Sequence, residues 1–187
     1  MMSKEILEQV KIQNLKSFQT HDGYAYSGTF CIGKTKIATV RNDGSGGNTD
    51  YDFVNAKAEA MFNKFVKDND LRQVIADTWN EDDDVIKYKR WTAEDMNDEN
   101  IISHFMEEFT QIKADKKVIN RMQKKGICFG VPGSGIFDGL SWKVTLEQLI
   151  NAGHKDKLEA EIKKLKGSFK NGEVIHNTNL TKLGIEV

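Results

Sequence analysis

The hydrophobic period of this chain changes twice, and that change limits its fold more than any single motif does. From Tyr24 to Ile32 apolar and polar residues alternate. Tyr24, Tyr26, Phe30 and Ile32 face one way, and Ala25, Ser27, Thr29 and Cys31 face the other. Val10, Ile12 and Leu15 begin an earlier strand, and Thr20-His21-Asp22-Gly23 supplies an Asp-Gly turn between the two. Gly33-Lys34 turns the chain again, and Lys34 to Val40 returns as the second arm of a hairpin. Across 53–125 the period becomes helical. Val54, Ala58, Met61, Phe62 and Phe65 make one apolar face. Asp70 is placed to cap a helix through Leu71, Val74, Ile75 and Trp79. Ile101, Ile102, Phe105, Met106, Phe109 and Ile112 make a strong stripe, and Val118, Ile119 and Met122 a shorter one that Lys124-Lys125-Gly126 ends.

After Gly126 the strand pattern resumes. Ile127-Cys128-Phe129-Gly130-Val131 reads as a buried central strand, Pro132, Gly133, Gly135 and Gly139 as a turn, and Leu140 to Val144 as the returning strand. Thr145-Leu146-Glu147-Gln148 has capping-box spacing, so a helix begins there and stops at Gly153. Leu158, Ile162 and Leu165 define a lysine-rich helix to Gly167, and short strands at Val174-Ile175 and Leu183 to Val187 complete the pattern. Strands, then helices, then strands with helices indicate α+β. The simplest closure is one antiparallel sheet built from N- and C-terminal strands. Residues 1–187 then form a single domain, with 53–125 as a helical insertion or subdomain.

A length of 187 residues, 39% hydrophobic and 29% charged, suits a globular chain with a sizeable core. The net charge of -1 gives no global reason for a polyanionic partner, so nucleic-acid binding would need a local patch. Cys31 and Cys128 lie far apart in apolar segments, as reduced, buried cysteines of a cytoplasmic protein do. The first eight residues carry acidic groups where a signal peptide needs an apolar core, and no apolar run approaches the ~20 residues of a membrane span. The expected setting is the cytoplasm, away from membranes.

At the first change of period stands Asn42-Asp43-Gly44-Ser45-Gly46-Gly47-Asn48. Successive glycines let backbone N–H groups converge on a phosphate, and a helix from about Phe53 would add its dipole. These seven residues are the candidate ligand site. The pattern lacks the Lys-Ser/Thr of a P-loop and the order of a dinucleotide fingerprint, and Asp43, Asp50 and Asp52 repel an unaccompanied phosphate. A turn requiring positive φ, with Asn42 and Asp43 bonding their own backbone, accounts for the same residues.

The remaining candidates have structural explanations of their own. His21, His104, His154 and His176 are scattered without ligand spacing, and His104 beside Glu107 and Glu108 reads as a helix-surface histidine before a general base. Glu81 to Asp84, with Glu94, Asp95, Asp98 and Glu99, lacks the EF-hand alternation and reads as a solvated loop. The Lys155–Lys170 segment can touch phosphates, but acidic residues interleave with its lysines, arginine is absent and no aromatics lie on the face to stack bases. Ile136, Phe137 and Trp142 suit either an exposed contact patch or buried strand positions. No catalytic residue can be named, and no spacing calls for a metal or cofactor.

Val40-Arg41-Asn42-Asp43-Gly44-Ser45-Gly46-Gly47-Asn48, followed by the aromatic Tyr51, resembles a group of small uncharacterised phage and mobile-element proteins with a strand ending in Asn-Asp-Gly-x-Gly-Gly. Lys-Gly-Ile-Cys-Phe at 125–129, Trp142-Lys143-Val144-Thr145 and Val174-Ile175-His176-Asn177 fall in the order of that group. The resemblance covers about the first fifty and last sixty residues and omits the helical middle. It implies a phage accessory protein in the host cytoplasm that binds and modulates a host protein, such as a defence component, without catalysis. The alternative is a small nucleotide- or phosphate-binding protein or enzyme that uses the glycine-rich loop 42–50.

Overall fold

A computed structural model describes residues 2–81, 89–132, 134–170 and 172–186. The chain divides into two compact units, residues 1–110 and 111–187.

The first unit opens with α1 (Lys4–Gln9), whose cap Ser3 accepts the Ile6 N–H through Oγ at 3.4 Å. Four antiparallel strands follow, β1 (Val10–Gln19), β2 (Tyr24–Ile32), β3 (Thr35–Asn42) and β4 (Asp50–Phe53), paired in the order β1-β2-β3-β4. Between Gln13 and Lys16 the register shifts, with Asn14 at a φ of 55°. This bulge restores the alternation, so Gln13, Lys16 and Phe18 share a face with their partners Thr29, Ser27 and Ala25. The opposite face carries Ile12, Phe30, Ala38 and Phe53 in one row. That face meets α2 (Ala56–Asp68), which Asn55 caps by accepting the Ala58 N–H at 2.9 Å. It also meets α4 (Asp98–Met122). Phe30 sets its ring edge against Phe62 of α2 at 6.0 Å and Phe105 of α4 at 5.4 Å. Between them runs α3 (Leu71–Trp79), whose Leu71, Ile75 and Ala76 are fully buried.

The second unit begins within α4. It continues through β5 (Gly126–Gly130), β6 (Asp138–Ser141), α5 (Leu146–Asn151), α6 (Lys155–Gly167) and β7 (Val174–Ile175). Its sheet has the order β6-β5-β7, so β5 is the central strand that its apolar run implies. Ile127, Leu146, Leu158, Ile162, Leu180 and Ile185 form its core. Thr145 and Gln148 close the capping box, with the Gln148 N–H on Thr145 Oγ1 at 3.2 Å and the Thr145 N–H on Gln148 Oε1 at 2.9 Å.

The α+β class holds, with antiparallel strands at both ends and helices in the middle. The terminal strands pair within two separate sheets, where the sequence pattern suggested a shared one. The unit boundary after Thr110 falls inside α4, within the 53–125 stretch. Four local expectations also change. The stripes at 101–112 and 118–122 belong to one helix. Asp70 adopts φ 48° and makes no side-chain cap bond. Leu140 to Val144 yields strand only to Ser141, where the entry to the capping box takes over. Thr181–Leu183 forms a 3-10 turn, and the described residues after it hold no strand.

Candidate functional site

The glycine-rich loop joins β3 to β4, so its exit is a strand, and α2 starts only at Ala56. The loop runs into a strand and not directly into a helix, and the first turn of α4 meets it at Thr49 through the carboxylate of Glu99. Its own side chains occupy much of its backbone. Asn42 Oδ1 accepts the Gly44 N–H at 2.7 Å, and Asn42 Nδ2 donates to the Gly47 carbonyl at 3.2 Å and to Thr49 Oγ1 at 3.1 Å. Asp43 Oδ1 accepts the Ser45 N–H at 3.0 Å and its hydroxyl at 2.6 Å, and the Ser45 bonds hold the carboxyl below its usual range. Thr20 Oγ1 donates to the Gly44 carbonyl at 2.7 Å. The loop thus has the self-bonded geometry of Asx turns.

Beneath the loop lies a buried polar cluster. Tyr26, Thr49 and Ser103 bring three hydroxyls into a triangle with sides of 2.7, 3.0 and 3.1 Å. Asn42 donates into it at Thr49, and Ser103 donates out of it to Glu107 Oε1 at 3.2 Å. Glu99 Oε1 accepts the Thr49 N–H at 2.9 Å. Desolvation raises the Tyr26 hydroxyl and the Glu107 carboxyl above their usual values, although Glu107 as a whole residue is exposed. Every hydroxyl has a partner, as a buried polar network requires. Sequence reasoning misses Thr20, Tyr26, Thr49, Glu99 and Ser103, because separations of up to 77 residues leave no local signal.

The other candidates disperse. His104 lies in α4, where Trp79 Nε1 donates to its Nδ1 at 3.4 Å, so Nε2 carries the proton and stands 3.8 Å from Glu108 Oε2. Burial lowers its pKa to about 4, so the contact with Glu108 is not an ion pair at neutral pH. Asp82, Asp83 and Asp84 lie outside the described residues. Among the described residues no three His, Cys, Asp or Glu side chains gather as a metal site. Both thiols, Cys31 and Cys128, are raised by burial, away from the thiolate that a nucleophile needs. The lysine-rich α6 lines a cleft of about 510 Å³ with Lys155, Lys163 and Lys166, but Glu159 and Glu186 share it. Among the described residues no helix is long and apolar enough to cross a membrane.

The turn after β5 differs from these in being built and yet apolar outside. Ser134 Oγ donates to the Val131 carbonyl at 2.9 Å and accepts the Ile136 N–H at 3.1 Å. A Cβ on Gly130 would stand 2.6 Å from the Ile136 carbonyl oxygen, so only glycine allows this approach. His176 Nε2 donates to the Gly130 carbonyl at 3.1 Å, and its ring meets Phe137 edge-on at 5.1 Å. The turn holds Ile136 75% exposed, and Val131 and Val174 are 40% and 41% exposed. Val174 pairs with Gly130 in register, which places the three on one end of the sheet. Phe137 and Trp142 are half-buried.

No family model matches this chain, and neither any curated protein nor any solved structure matches it.

Proposed function

We propose that this is a non-catalytic accessory protein that acts by binding another protein. The resemblance at 40–48 supplies the setting, a phage product in the host cytoplasm whose partner is a host protein such as a defence component. The observation that supports binding is the turn at 131–136. Hydrogen bonds from Ser134 and His176 hold its backbone, while Ile136 stands 75% exposed. An apolar side chain displayed beside backbone that is already hydrogen-bonded, as Val131 and Ile136 are to Ser134, loses little entropy on docking, which favours a protein contact. The phosphate reading of loop 42–50 has less support. The N–H groups of Gly44, Ser45 and Thr49 are already bonded to Asn42, Asp43 and Glu99, and Arg41, the cation beside the loop, is held by Asp50 at 3.0 Å.

Capture from host lysate tests the reading. The wild-type protein should retain one stoichiometric partner, and Ile136→Asp, which alters an exposed side chain, should lose it with an unchanged circular dichroism spectrum. Recovery of no stoichiometric partner, or equal capture by the variant, would refute it.

A further inference from the structure

We infer that the outward face of the four-stranded sheet binds single-stranded nucleic acid, at a place unrelated to the lysine-rich helix α6. This goes beyond the protein-binding role proposed above and involves the other unit. The register assembles the face in rows. Lys11, Cys31 and Lys36 form one, Gln13, Thr29, Thr39 and Asp52 the next, and Lys16, Ser27, Arg41 and Asp50 the third. Phe18 opposes Ala25 in the next row on this face, beyond Lys16 and Ser27, and is 67% exposed.

The composition of these rows selects the ligand. Lys11, Lys16 and Lys36 are exposed and have no ion-pair partner among the described residues, whereas Arg41 is held by Asp50 at 3.0 Å. The two carboxylates, Asp50 and Asp52, both stand on β4 at one edge, so the charge separates across the sheet. The unpaired lysines stand on β1 and at the start of β3, away from those carboxylates. With strands about 4.8 Å apart and a rise of about 3.3 Å per residue, Lys11 and Lys36 stand about 10 Å apart, and Lys16 about 13 Å along the strands from Lys11.

Between these cations run Gln13, Ser27, Thr29 and Thr39, the uncharged donors that commonly accompany lysine on phosphate oxygens. Phe18 adds an aromatic surface for one unstacked base beside the lysines. A sheet face with cations, hydroxyls and an exposed ring fits an open strand, whose bases are free to stack. A duplex conceals its bases and offers Phe18 nothing. An acidic protein would also use the lysines and Phe18, and binding of polyglutamate distinguishes it from an open strand.

Fluorescence anisotropy with labelled oligothymidylate tests the inference. Binding should be measurable at low salt, with log K falling against log salt at a slope of about −2 for three lysine–phosphate contacts. Lys11→Gln/Lys16→Gln/Lys36→Gln should weaken binding at least about tenfold and flatten the slope, as loss of the counterion release predicts. Phe18→Ala should weaken it at least about fivefold and leave the slope unchanged. Lys163→Gln/Lys164→Gln on α6 should bind as the wild type does. No binding at low salt overturns the inference, as does binding that the triple variant retains. Tighter binding of duplex DNA, or equal binding of polyglutamate, also overturns it.

Discussion

Gly44 and Gly46 have nearly the same backbone conformation, with φ of +75° and +80°, yet they carry different loads. A Cβ on Gly44 would lie 2.6 Å from the Ala25 backbone nitrogen, while one on Gly46 would meet nothing within 4 Å. Both substitutions incur the cost of a left-handed residue, about 1–2 kcal/mol. Gly44→Ala adds a collision with main chain, so it should lose about 2 kcal/mol more than Gly46→Ala in urea denaturation, on the usual cost of overpacking. Equal losses would show that the loop is not pressed against β2. The need for positive φ is legible in the sequence, since glycines cluster at a change of period. Which glycine touches another strand is not legible, because Thr20 and Ala25 stand about twenty residues away and carry no mark of it. The same holds for Tyr26 and Ser103, ordinary strand and helix residues until folding joins their hydroxyls.

Local chemistry fixes the elements that sequence reading locates best. The hairpin of β2 and β3 and the capping box at Thr145 and Gln148 depend on residues within a few positions of each other. β4 escapes because it is four residues long, and its Tyr51 and Phe53 precede a helical stripe that absorbs them. β7 is shorter still, and the side chain of Asn177 compensates. Its Oδ1 accepts the Cys128 N–H at 2.7 Å and its Nδ2 donates to the Gly126 carbonyl at 2.9 Å, so an amide side chain continues the ladder along β5. Asn177→Leu keeps the volume and removes both bonds. It leaves two backbone groups of a central strand unpaired, at about 1–3 kcal/mol each. The expected result is a loss of at least about 2 kcal/mol in stability, together with faster amide exchange at Cys128. Unchanged exchange there would mean that β7 holds the strand without Asn177.

At the scale of the whole molecule, the α+β class follows from the order of the periods, whereas the partition into two sheets does not. Strand pairing between distant segments depends on which edges meet, and the apolar run of β5 is the same whether it joins β1 or only β6 and β7. Global stability likewise depends on groups that only the fold buries. His104 has its pKa lowered from 6.5 to about 4 by desolvation, so the unfolded chain binds a proton there before the native one does. Stability from this group is therefore complete above about pH 6.5 and is lost as pH falls towards 4. The loss reaches at most about 3 kcal/mol, at roughly 1.4 kcal/mol per pH unit. Glu107 and Glu108 act in the opposite sense. Burial raises both carboxyls, so acidification favours their native, protonated forms and masks part of the loss. The difference between proteins isolates the histidine. His104→Gln keeps an acceptor for Trp79 Nε1 and does not titrate, so its stability relative to wild type should improve steadily between pH 6.5 and 4.5 in urea titrations. A difference that stays constant over this range would show that His104 titrates alike in the folded and unfolded chain.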